Sequence, residues 1–164
     1  MIRRYGGLVA ALVLVLGLAG CTPAPEGGVA LRRGADGGVE LLFRPCPGER
    51  VWSVIVRQEN TGADRYAWHI DGGPSSPEIS SVRVFETPDG WTTAESNLTA
   101  LEPGVSYVVT AFLGSVISSE VGFTVADLDG LSAGKVLGKG DTNKPAQLTM
   151  DEFAKVAAKD CKKK

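Results

Sequence analysis

The stretch Leu101-Glu102-Pro103-Gly104-Val105-Ser106-Tyr107 sits directly before a run of alternating apolar residues and decides how the chain is read. Val105 to Phe112 is dense in β-branched and aromatic residues, and a second such run, Val116 to Val125, follows Gly114. Upstream, Trp91 to Glu95 is a weaker strand. It follows the turn Pro88-Asp89-Gly90, where Pro fixes φ and Gly accepts positive φ. Ile79 to Phe85, Arg65 to Ile70, Val51 to Arg57 and Val39 to Arg44 continue the pattern toward the N-terminus. Between them lie Asp71-Gly72-Gly73-Pro74, Asn60-Thr61-Gly62 and Pro45-Cys46-Pro47-Gly48, and two prolines so close together cannot serve a sheet interior. Val29-Ala30-Leu31-Arg32, brief and flanked by Gly, reads as an edge strand. Seven or eight short strands separated by turns indicate an all-β fold, an antiparallel β-sandwich.

The Leu101–Tyr107 run resembles the E–F corner of fibronectin type III domains, in which a Leu-x-Pro-Gly-x-x-Tyr segment turns the chain between sheets. The resemblance implies that the Tyr107 hydroxyl bonds back to the backbone. Val39, Leu41 and Phe43, then Val51 to Arg57, are similar to that family's B and C strands, with Phe43 where Trp is usual and Cys46 as an addition. It covers residues 28–126 and implies a spacer or binding module, not an enzyme.

At the other end of the chain, Arg3 and Arg4 precede an apolar run from Leu8 to Ala19, too short for the roughly 20 residues of a membrane-spanning helix. Leu18-Ala19-Gly20-Cys21 then resembles the bacterial lipoprotein lipobox at all four positions. The resemblance implies cleavage after Gly20 and diacylglyceration of Cys21, anchoring an exported protein to the outer face of a bacterial membrane. Thr22 carries no charge to choose between membranes where there are two. The competing readings are an ordinary secretory signal cut elsewhere, disfavoured by Pro25 after Ala24, and an uncleaved anchor helix, disfavoured by length.

On this reading residues 1–20 are a signal peptide, 21–28 a tether, 29–126 the sandwich, and 127–164 a wrapping loop with a C-terminal helix docked on it. Loss of Arg3 and Arg4 takes the basic residues from 17 to 15 against 19 acids, leaving a net charge of −4 that argues against nucleic acid as a partner. Every Lys lies at or after position 135, while Val84 to Gly134 holds seven acids and no base. A basic tail folded onto an acidic half is the expectation such asymmetry favours at low salt. With Cys21 assigned to lipid, Cys46 and Cys161 remain, and an even pair in an exported protein reads as a disulfide. In the tail, Thr149-Met150-Asp151-Glu152 fits a capping box, and Phe153, Val156 and Ala157 form one apolar stripe. So short a helix is marginal alone and must dock.

Chemistry is harder to find. Gly134-Lys135-Val136-Leu137-Gly138-Lys139 falls one residue short of a phosphate loop and lacks its Ser or Thr. Asp127-Leu128-Asp129-Gly130 departs from calcium-loop spacing at Leu131 and Lys139. His69 is the only histidine, so a His-based metal cluster is excluded, and no metal or cofactor is expected. A Ser-His-Asp triad around His69 is formally open, but no Gly-x-Ser-x-Gly elbow accompanies it. Trp52, Trp68 and Trp91 are the candidates for a carbohydrate- or peptide-binding platform, with at least one expected in the core. The leading expectation is a lipid-anchored, non-catalytic module whose partners are membrane lipid, through Cys21, and an envelope protein or polysaccharide. The alternative is a small carbohydrate-active or hydrolytic envelope protein using loop carboxylates.

Overall fold

A computed structural model describes residues 27–59, 67–113, 116–117, 120–140, 142 and 144–162. The leader, Cys21 and most of the tether lie outside the described residues, as do the Asn60–Gly62 turn and Arg65–Tyr66 of the expected fourth strand. No helix among the described residues is long and apolar enough to cross a membrane.

The chain forms an antiparallel sandwich of two sheets. Its strands are β1 (Gly28–Arg33), β2 (Val39–Arg44), β3 (Val51–Gln58), β4 (Ala67–Gly72), β5 (Ser81–Arg83), β6 (Trp91–Ser96), β7 (Ser106–Leu113), β8 (Val116–Ile117), β9 (Val121–Thr124), β10 (Val136–Lys139) and β11 (Pro145–Leu148). The helices are α1 (Val125–Asp129) and α2 (Met150–Asp160). Sheet I has the order β11-β10-β1-β2-β5, and sheet II runs β6-β4-β3-β7-β8 with β9 also paired to β7. The alternation read from the sequence points Val29, Leu31, Leu41 and Phe43 of sheet I at Val54, Val56, Ile70 and Val109 of sheet II, all but fully buried. Burying each such side chain contributes about 1.5–3 kcal/mol, so this slab holds most of the fold's driving force.

Two expectations change here. The stretch 127–146 is not only a wrapping loop. After α1 it supplies β10 and β11, which add to sheet I, with Ala30 opposite Gly138 and Leu31 opposite Leu137. In consequence β1 is an interior strand, not an edge, and the strands outnumber the seven or eight expected. The reason lies on the outer face of sheet I, where Ala30, Leu42, Val136 and Phe153 of α2 form a second, smaller apolar cluster. A strand buried on both faces loses its alternation, which is why Leu41-Leu42-Phe43 is continuously apolar and Val136-Leu137-Gly138 shows no period. Small residues make the seat. A Cβ at Gly28 would lie 3.0 Å from the Phe153 ring and 3.1 Å from the Ala157 methyl, and one at Gly138 would lie 3.2 Å from Leu148.

The capping box of α2 is present. The Thr149 hydroxyl accepts from the Glu152 amide at 3.1 Å, while the Glu152 carboxylate accepts from the Thr149 amide at 2.7 Å. Phe153 and Ala157 are buried and Val156 half-buried, as the stripe requires. At its far end Cys161 is bonded to Cys46, their Cα atoms 5.5 Å apart. The tail therefore folds back through apolar packing and a covalent bond. The ion pair of Lys135 with Glu152, at 3.6 Å, lies within the tail itself.

At the Leu101–Tyr107 corner the Glu102 amide donates to the Tyr107 hydroxyl at 2.8 Å, and Gly104 takes a φ of 80°. One detail departs from expectation. The segment links β6 to β7 within sheet II, so it crosses the end of one sheet and does not pass between the two.

Candidate functional site

The tryptophans do not form a platform. Trp68, 2 % exposed, is a core residue of β4 whose ring meets Phe85 edge-on at a centroid distance of 6.2 Å. Trp91, 6 % exposed, covers Gly72, where a Cβ would come within 2.8 Å of the indole, and its Nε1 donates to the Pro77 carbonyl at 3.1 Å. Both candidates are thereby corrected to buried core residues: each projects from the inward face of its strand into the apolar cluster between the sheets, where no ligand surface is exposed. Trp52 differs. Val51 pairs with Leu113 and Ser53 with Phe112, so Trp52 is the extra residue of a β-bulge, which explains why its parity could not be read. It is half-buried, with the Arg50 guanidinium 4.8 Å above its ring. Arg50 also donates to the Pro74 and Ser76 carbonyls, fixing the loop after β4, while its Nε is buried without a partner among the described residues.

The structure does bring a serine and an aspartate to His69. Ser53 and Asp71 face each other across β3 and β4, and His69 lies beside them on the outer face of sheet II. Ser53 Oγ is 2.8 Å and Asp71 Oδ1 2.9 Å from the same ring nitrogen, Nε2. A catalytic triad needs the carboxylate on Nδ1, so that Nε2 keeps its lone pair for the serine proton. Here both partners compete for one nitrogen, and no relay runs from Asp71 through the ring to Ser53. The group ties β3 to β4. The sequence signal for it, His69 and Asp71 two apart on one strand, was visible. The partner from β3 was not.

A cleft of about 480 Å³ opens at the end of sheet I where β1 turns into β2, lined by Arg32, Arg33, Glu40, Arg83 and Lys135 among others. Its cations are all engaged. Arg32 meets Glu40 at 2.7 Å, Arg33 meets Asp129, Arg83 meets Asp36, and Lys135 meets Glu152. The carboxyl of Asp36 is held below its usual range chiefly by the Gly38 amide. Burial opposes ionisation of Glu40, but hydrogen bonds with Ser81 and Arg32 outweigh it and its pKa is also lowered. This is a balanced ionic knot closing one end of the sandwich.

The remaining sequence motifs resolve structurally. Asp127 completes a capping box with Thr124 at the start of α1, and Asp129 is the partner of Arg33. Gly134, at a φ of 75°, makes a turn, and Val136–Lys139 is a strand, so no helix follows that glycine to cradle a phosphate. Among the described residues no group of three or more His, Cys, Asp or Glu side chains gathers to hold a metal ion.

Comparisons with protein-family models, with curated proteins and with solved structures found no match to this chain.

Proposed function

We propose that the protein is an exported lipoprotein of the bacterial envelope, anchored through acylated Cys21, whose sandwich acts as a non-catalytic binding or bracing module. The observation that carries this reading is the Cys46–Cys161 bond. A disulfide spanning 115 residues belongs to an oxidising compartment, and it leaves Cys21, in its lipobox setting, as the unpaired cysteine. The Tyr107–Glu102 hydrogen bond supports the likeness to fibronectin type III domains and, with it, a module that binds or spaces. An envelope protein or a polysaccharide is the partner class this favours, with Trp52 the half-exposed tryptophan among the described residues. A hydrolase using two carboxylates needs one acid with a raised pKa facing another across a cleft. The resolved shifts of Asp36, Glu40 and Glu152 all run the opposite way. Replacing Cys21 by Ala should move the protein from the membrane fraction to the soluble exported fraction, and unchanged membrane attachment would overturn the reading.

A further inference from the structure

The cations divide by their position along the strands. At one end of the sandwich lie Arg32, Arg33, Arg57, Arg83 and Lys135, and each is in an ion pair. The opposite end is where the described chain begins. Gly28 pairs with Arg44, the last residue of β2, and a Cβ at Gly27 would touch Leu113, the last residue of β7, at 3.0 Å. The hairpin between β10 and β11 turns at this same end, bounded by Lys139 and Lys144. The bond to Cys46 brings the last turn of α2 there as well, with Lys159 and Lys162. Lys155 and Lys159, four residues apart, are exposed on one stripe of α2, and Lys162 is exposed just beyond its end. Among the described residues, no ion pair involves Arg44, Lys139, Lys144 or Lys162. Among the described residues the acids at this end are Glu49, the buried Asp160, and, on the side of β5 and sheet II, Glu78, Asp71 and Asp89, so the cations gather where β2, the β10–β11 hairpin and α2 meet.

Beside the stripe runs a groove of about 420 Å³ lined by Arg44, Pro45, Pro47, Ala154, Ala158 and Cys161 among others, apolar on its floor and cationic at its rim. Trp52, next to the Val51–Leu113 pair, lies at the same end of sheet II. Cations around an apolar floor, with a half-exposed Trp nearby, match an interface between anionic headgroups and hydrocarbon. The chain itself says where that surface is. Six residues, 22–27, separate Cys21 from β1, so this end is held within about 20 Å of whatever Cys21 is fixed to.

We propose that the corner of this end where β2, the β10–β11 hairpin and α2 meet, through Arg44, Lys139, Lys144 and Lys162, docks on an anionic phospholipid surface and sets the orientation of the domain on the membrane. The inference rests on the lipid-anchor reading for its biological setting, but its test does not.

The chain from Thr22 onward, which contains every described element and no acylation site, is sedimented in oxidised form with vesicles of phosphatidylglycerol and phosphatidylcholine, or of phosphatidylcholine alone. The expected result is binding to the anionic vesicles only, abolished by high salt. Each cation near the surface contributes about fivefold in affinity. The triple variant Arg44→Gln, Lys144→Gln, Lys162→Gln should therefore bind about a hundredfold more weakly. A control with the same change in net charge, Arg32→Gln, Arg57→Gln, Lys135→Gln at the opposite end, should bind within threefold of the parent. Equal weakening by both triples, or equal sedimentation with neutral vesicles, would overturn the proposal. So would failure of the parent chain to sediment with anionic vesicles at low salt. Thermal melts of all three proteins show that differences arise from binding and not from unfolding, and Cys21→Ala fractionation reports on the anchor separately.

Discussion

Removal of the Cys46–Cys161 bond, by the double substitution Cys46→Ala, Cys161→Ala or by reduction, is the sharpest test of how the tail belongs to the domain. The bond closes a loop across 115 residues of separation. In the chain-entropy model a loop of that size stabilises by about 5 kcal/mol, and native bridges typically contribute about 2–5 kcal/mol. For a domain of this size each kcal/mol moves Tm by about 3–4 °C, so the bridge-free protein should melt about 6–20 °C lower. The tail should nevertheless stay in place at 25 °C. Phe153, 2 % exposed, and Ala157, 3 % exposed, remain in their seat over Ala30 and Leu42, and truncating a buried Phe costs about 3–5 kcal/mol on its own. Circular dichroism should therefore show native helix content at 25 °C without the bridge. Adding Phe153→Ala should then release α2 in the bridge-free protein while the oxidised parent retains it. A fall in Tm of less than about 3 °C on breaking the bond would refute the constraint. Loss of the helix on reduction alone would show that the bond, and not the seat, holds it.

Valine at Gly138 should push α2 outward by crowding Leu148, Ala30 and Phe153, at a cost of about 1–3 kcal/mol in urea denaturation. Tyr107→Phe leaves the Glu102 amide without its acceptor and should cost about 1–2 kcal/mol with no change in the far-ultraviolet spectrum. At α2, Thr149→Ala should cost about 1 kcal/mol. The Glu152 half of that box is pH-dependent. The Thr149 amide, then its hydroxyl and Lys135, lower the Glu152 pKa below its ordinary 4.5. Its stabilisation is thus complete above pH 4.5 and fades as pH falls through the folded value, so Glu152→Gln should differ from the parent at pH 7 and match it near pH 2. Acrylamide should quench Trp52 while sparing Trp68 and Trp91. Quenching of all three would contradict their burial.

What could be read in advance was local or forced by counting. The corner hydrogen bond was implied by the resemblance of seven consecutive residues to a fibronectin type III corner, and the α2 cap follows from four residues. The disulfide follows because three cysteines less one leave a single pairing. What could not be read depended on which surfaces meet. Gly28 and Gly138 look like strand breakers in isolation, and only the Phe153 ring above them shows why a side chain is excluded. With that seat unseen, β1 reads as an edge and β10 as loop. Trp52 was illegible for a different reason, since the bulge at its position breaks the period of two on which every facing argument depends. The same loss of distance information hid Ser53 from His69. At the site level, the segregation of Lys from Arg was plain in the sequence, but its meaning changed once the strands were aligned. Linear position suggested basic against acidic halves. Alignment shows instead paired cations at one end and, where β1 begins, Arg44, Lys139, Lys144 and Lys162 in no ion pair among the described residues.

That redistribution bears on how the proposed anchor and the fold would cooperate. A six-residue tether reaches at most about 20 Å, while fields at physiological salt decay over about 8 Å. On the lipid-anchor proposal, the cations around Arg44 and Lys162 would stand beyond the reach of the headgroups with residues 22–27 fully extended, and within it with them slack. On that proposal the docked and extended arrangements would be two states whose balance is set by cation number and tether length. Lengthening the tether by about 20 Gly/Ser residues lowers the effective concentration of the patch at the surface without touching it. Measured by energy transfer from a probe on the exposed Asp36–Gly37 turn, at the end away from the tether, to a labelled bilayer, the parent should hold one long, narrow distance. The lengthened form should show a broader one, collapsing back to the narrow value as salt is reduced. A distance distribution that broadens with tether length but ignores salt would mean that the tether alone, and not the basic end of the sandwich, governs the geometry.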